Sequence, residues 1–148
     1  MADWSELSEL KMGLYLCVFD GDEELDGVEI GSYADFNFLR KAITAVVEDG
    51  HFGTRCPVFV THSDSDGEWP PEQASKLLTE LDCVEKKFAN APPAEFNSEW
   101  KKGVAKTYGI KPRCLLDCFF DIDGEPLIKR LKGLAELSVQ RGVPILFQ

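Results

Sequence analysis

The chain has 148 residues, 44% of them apolar, with 26 acidic against 16 basic side chains and a net charge of −10. Its size and composition predict one compact domain with a real core, and its negative charge argues against nucleic acid and anionic lipid as direct partners. No apolar run approaches the roughly 20 residues that span a bilayer and no basic-then-apolar leader opens the chain, so neither membrane insertion nor export is expected.

Residues 1–11 carry a weak amphipathic pattern in Trp4, Leu7 and Leu10 and are followed directly by Met12. They read as an N-terminal extension, either a disordered terminus or an upstream start, ahead of a single domain over 12–148. From Leu14 to Phe19 every residue is apolar and strand-forming, as in a central strand covered on both faces. Asp20 to Glu24 supply turn residues, and Val28 to Ile30 return as the edge strand of an N-terminal hairpin. Ser32 followed by Asp35 predicts an N-capped helix to about Asp49, with Phe36, Leu39, Ile43 and Val46 on one face and Gly50 at its end. Val58 to Val60 read as a second buried strand.

Pro70 and Pro71 open a helix whose stripe is Ala74, Leu77, Leu78, Leu81, Val84 and Phe88, stopped by Asn90 and Pro92-Pro93. Ser98 is placed to cap a shorter helix through Tyr108, with Gly109 beyond it. Residues 114–120 fit a helical turn slightly better than a strand, and Pro126 opens a last helix that Gly142 closes. Val143 to Phe147 form a final short strand, with Pro144 at its start or on a sheet edge. The fold class is α/β: a small central sheet of about four strands, partly parallel, packed by four to five helices. In this arrangement the strands near 14–19 and 58–61 are parallel neighbours, and α+β is the alternative.

Charge is unevenly placed. Residues 1–40 hold ten acids and two bases, whereas residues 101–148 hold five acids and nine bases. Acidic clusters follow both proposed strands, Asp20, Asp22, Glu23, Glu24 and Asp26 after the first and Asp64, Asp66 and Glu68 after the second. If those strands were parallel neighbours, both loops would leave one end of the sheet and present one negative field to a basic partner. Trp69, set in a polar turn, is either a loop anchor or a contact of that surface.

Oxygen ligands at Asp20, Asp64 and Asp66 raise the alternative of a small metal-dependent hydrolase. A calcium loop framed on Asp64, Asp66 and Gly67 puts His62 at its first position and Gln73 at its twelfth, neither suited to the ion. The Asp-x-Asp-Gly units are simpler as tight turns. No nucleophile elbow, zinc-helix motif or phosphate loop occurs, so no catalytic residue, metal or cofactor is assigned. His62 ends an apolar run, where closing the strand is a commoner role than general base. The cysteines (Cys17, Cys56, Cys83, Cys114 and Cys118) contain no C-x-x-C pair and fit reduced core thiols in a cytoplasmic protein.

The strings Gly13-Leu-Tyr-Leu-Cys-Val-Phe19, Asp26-Gly-Val-Glu-Ile-Gly-Ser-Tyr33, His62-Ser-Asp-Ser-Asp-Gly-Glu-Trp69, Asp121-Ile-Asp-Gly-Glu-Pro126 and Pro144-Ile-Leu-Phe-Gln148 together resemble the immunity protein 70 family of bacterial polymorphic-toxin systems. The resemblance runs from Met12 to the C-terminus. It implies a cytoplasmic protein, not an enzyme, that binds and neutralises a cognate toxin encoded by a neighbouring gene. An acidic face complements a basic toxin, and a general acidic adaptor is the remaining alternative.

Overall fold

The computed structural model describes residues 13–63 and 67–148. β1 (Leu14–Asp20) turns through Gly21 and Asp22 into β2 (Glu23–Gly31). Gly21 has a φ of 63°, which suits a glycine in the first position of a two-residue hairpin turn. Leu14, Leu16 and Val18 are fully buried in the core. β1 has a strand on each side, so the apolar run does form a central strand.

The sheet order is β2-β1-β4-β3, with β3 at Glu68–Trp69 and β4 at Ile145–Phe147. All three pairings are antiparallel, which corrects the expectation of a partly parallel sheet. The difference starts at Val58 to Val60. These residues form α2 (Pro57–Val60), one helical turn, and not a strand beside β1. Pro57 suits the first turn of a helix because the amide it lacks would be unpaired there. The Glu80 carboxylate accepts the Val58 and Phe59 amides, each at 3.0 Å, so amides that a strand would need in a ladder are already bonded. Four apolar residues are too few to reveal a helical period.

Four other helices complete the described chain: α1 (Tyr33–Val46), α3 (Pro71–Ala89), α4 (Glu99–Tyr108) and α5 (Leu127–Arg141), with a 3-10 turn at Leu115–Cys118. α1 opens on the predicted N-cap, which the structure completes as a capping box. Ser32 Oγ accepts the Asp35 amide at 3.2 Å, and Asp35 Oδ2 accepts the Ser32 amide at 2.8 Å. Phe36, Leu39 and Ile43 bury one face of α1, as Leu77, Leu81, Val84 and Phe88 do for α3 and Ile128, Leu131 and Leu134 for α5. α1 ends before Asp49, whose φ of 53° lies in the left-handed region. Ser98 holds the N-cap position of α4, but its buried hydroxyl makes no hydrogen bond, so it caps by backbone conformation alone. Pro144 falls just outside β4, where no ladder bond is asked of it. The architecture is mixed α/β, with helices packed on a four-stranded antiparallel sheet. No helix among the described residues is long and apolar enough to cross a membrane.

Candidate protein-binding surface

The hairpin turn gathers most of the acids singled out in the sequence. Asp20, Asp22, Glu23 and Glu24 are exposed and Asp26 is half-buried. Two of them are already matched by the basic C-terminal helix. Arg141 Nη1 lies 3.4 Å from Asp20 Oδ2, and Arg130 contacts Asp26 at 3.3 Å while donating to the Gly27 carbonyl at 2.6 Å. The opposite charges of the two chain ends are therefore partly paired within the molecule. Glu24 accepts the Tyr15 hydroxyl at 2.5 Å. Glu29 keeps a buried Oε2 without a hydrogen-bond partner, and burial pushes its carboxyl up. The outward charge of the hairpin is concentrated on Asp22, Glu23 and Glu24.

The second acidic cluster is placed differently. Asp64 and Asp66 lie outside the described residues. Glu68 is exposed on β3, the edge of the sheet opposite β2. Gly67, which leads into β3, accepts the Phe147 amide at 3.0 Å, and Phe147 stands opposite Leu16. Leu16 is four residues from Asp20, roughly 13 Å along a strand at the usual rise. Gly67 thus sits toward the far end of the sheet from the hairpin turn, and the single shared field expected of parallel strands loses its footing with the parallel pairing.

Trp69 is fully buried, so of its two roles it takes that of anchor. Its Nε1 donates to the Val58 carbonyl at 3.1 Å, and its ring meets Phe147 edge-on at 4.7 Å between centroids. His62 stacks on Phe147 at 4.0 Å, with its ring nitrogens 2.8 Å and 2.9 Å from the carbonyl oxygens of Ser63 and Glu68. Both nitrogens are turned to backbone acceptors, an arrangement that closes a loop and leaves neither aimed at a substrate. Burial pushes the Cys17 thiol up to about 11 and the Cys56 thiol up to about 12, with nearby carboxylates adding to the effect. Both behave as core thiols. Among the described residues no group of three or more His, Cys, Asp or Glu is gathered to hold a metal.

A buried polar cluster and an exposed aromatic loop go beyond what the sequence reading singles out. In the cluster, the Asp35 carboxylate accepts from Asn97 Nδ2 at 2.8 Å and Trp100 Nε1 at 2.9 Å, with Lys101 Nζ at 3.7 Å. Lys101, only 3% exposed, also donates to Asn97 Oδ1 at 2.7 Å and lies 5.2 Å from the Phe38 ring centre. These groups satisfy one another and fasten α4 to the start of α1. The close approach at Gly31 belongs to the same join, because a β-carbon there would fall 2.5 Å from Asp35 Oδ2 and 2.8 Å from the Trp100 ring. In the loop, Phe52 is 64% exposed between Gly50 and Gly53. An aromatic residue bracketed by glycines is the one signal of it in the sequence.

Neither a curated protein nor a solved structure matches this chain. Residues 14–147, from the first residue of β1 to the last of β4, match the family described as immunity protein 70, and the chain belongs to that family.

Proposed function

We propose that this chain binds and neutralises a cognate polymorphic toxin encoded by a neighbouring gene, docking in part through the acidic turn of its β1–β2 hairpin. Family membership across residues 14–147 carries the reading. The exposure of Asp22, Glu23 and Glu24 at the tip of the β1–β2 hairpin supports the acidic contact. A field of that kind mainly speeds encounter with a basic partner, while a desolvated contact elsewhere sets the lifetime of the complex. Asp64, Asp66 and Glu68 belong to the proposal through charge alone, and Asp20 and Asp26 contribute after losing part of theirs to α5. Trp69 acts from the core by holding β3 and α2 in place. The protein works in the cytoplasm, where an incoming toxin would act on the cell.

The test is growth protection together with binding kinetics. Co-expression of the chain with the toxin-domain product of the neighbouring gene is expected to restore growth, and the two proteins are expected to form a complex in surface plasmon resonance. Reversing Asp22, Glu23 and Glu24 to lysine should slow association by about tenfold or more at low salt and flatten its salt dependence. Unchanged association at low salt would remove the acidic hairpin from the interface and leave immunity standing.

A further inference from the structure

The loop after α1 is held far more firmly than an exposed connection requires. Glu48 is 1% exposed and its carboxylate accepts four hydrogen bonds, from Thr44 Oγ1 at 3.1 Å and from the amides of Gly53 at 3.1 Å, Arg55 at 3.0 Å and Cys56 at 2.9 Å. Burial opposes the charge on Glu48, yet these bonds outweigh it and hold the carboxyl below its ordinary value. Three of the five residues from Asp49 to Gly53 have positive φ, at 53° for Asp49, 84° for Gly50 and 77° for Gly53. Asp49 is the described non-glycine residue in that region, a conformation that persists only where its surroundings impose it. The backbone so fixed presents one large apolar side chain to solvent, Phe52.

Phe52 borders a cleft of about 460 Å³ whose other walls include Arg40, Lys41, Thr44 and Val60. A lone exposed aromatic residue is ordinary on a soluble protein. An aromatic on a rigid loop at the mouth of an apolar cleft has the properties of a binding anchor, because little conformational freedom remains to be lost when a partner covers it. The charge at the mouth runs against the net charge of the molecule. Arg40 donates to the Val60 carbonyl at 3.4 Å and to that of His62, so its guanidinium is turned inward, while Lys41 is exposed. A cation above an apolar cleft selects an apolar side chain carried next to a carboxylate.

We propose that this cleft is a second contact for the toxin, taking an apolar side chain that is flanked on the toxin by an acidic residue paired with Lys41, with Phe52 as the anchor. The proposal rests on the immunity reading and adds a site of opposite polarity to the hairpin. Two patches of opposite sign fix the orientation of a bound partner and penalise partners that match only one of them.

The experiment measures the kinetics of Phe52→Ala and Lys41→Glu against the neighbouring gene's toxin product, using the full chain. Phe52→Ala is expected to leave association near wild type and to speed dissociation by about tenfold or more. Lys41→Glu should weaken binding in the same direction, in contrast to the hairpin reversals, which act on association. Wild-type dissociation rates in both variants would overturn the cleft while leaving toxin binding intact. No binding by the wild-type chain would instead overturn the immunity reading and the cleft with it. Should Phe52→Ala lower the melting temperature, hydrogen exchange of the wild-type complex decides. Slowed exchange at the His51, Phe52 and Gly53 amides on adding toxin supports the contact, and unchanged exchange there overturns it.

Discussion

Helices α1 and α2 each begin against a carboxylate, and the two carboxylates stand in different electrostatic positions. Asp35 lies three residues inside its own helix boundary and closes the capping box with Ser32. It also gathers Asn97, Trp100 and Lys101 from α4 and the segment before it. Burial works against its charge, but the bonds from Trp100 and the Ser32 amide, with Lys101 and Asn97 behind them, prevail and hold the carboxyl below its ordinary value. Glu80 reaches α2 from the middle of α3 and has only the Val58 and Phe59 amides to bond. There burial prevails and pushes the carboxyl up. Two carboxylates in the same role at a helix start differ in how much of their desolvation is offset, and the difference follows from the partners around them.

The largest expected effect is at Asp35. Asp35→Ala leaves the buried Lys101 without its carboxylate and strips the Trp100 and Asn97 side chains of their acceptor. Removing one partner of a buried ion pair costs about 3–5 kcal/mol. Urea denaturation should register the loss in full, with α4 released from α1. A loss below about 1 kcal/mol would mean that water reaches Lys101 readily and that the cluster is less buried than its geometry implies.

Glu80→Ala should cost less, about 1–3 kcal/mol, although it unpairs two backbone amides. The poorly compensated charge disappears with the side chain, which offsets part of the lost bonding. The same denaturation series checks the ranking. A larger loss at Glu80 than at Asp35 would break the comparison and make α2 the more critical join, which would require Phe59 and Trp69 to leave the core with it.

These two sites also explain what the sequence reveals and what it hides. The start of α1 is legible because Ser32 and Asp35 are three positions apart, and the stripes of α3 and α5 are legible because both helices run for several turns. α2 is illegible because Glu80, which fixes it, is 22 residues from Val58 and looks like any charged residue of an amphipathic helix. The hairpin is legible from its turn, whereas the pairing of Val18 with Ile145 joins residues near opposite ends of the chain. Counting Val58 to Val60 as a strand fills the place beside β1 that β4 occupies. The surface follows the same rule: the acids of the hairpin are plain in the sequence, but their partial neutralisation by Arg130 and Arg141 is set by how α5 lies on the sheet. Phe52 is hard to single out because its setting depends on Glu48, four residues before it, being buried.

The smallest and most discriminating effect is the pH dependence of the two sites. The Asp35 carboxyl is depressed in the folded state from an unfolded value near 3.9, so its contribution is present above about pH 4 and is lost as pH falls through the folded value. The Glu80 carboxyl is raised from an unfolded value near 4.3, so its contribution is present below about pH 4 and is lost as pH rises through the folded value. Between pH 3 and pH 7 the two sites therefore push stability in opposite directions. The isosteric variants separate them by removing each titration while keeping a side chain of similar shape. The stability gap between wild type and Asp35→Asn should widen from pH 3 to pH 7, and the gap between wild type and Glu80→Gln should narrow over the same range. Denaturation curves for the three proteins at several pH values within that interval decide the matter, since a Glu80→Gln gap that widened with pH would require the Val58 and Phe59 amides to outweigh burial after all. Glu80 would then belong with Asp35, and the distinction between a locally built cap and one reached from another helix would not be electrostatic.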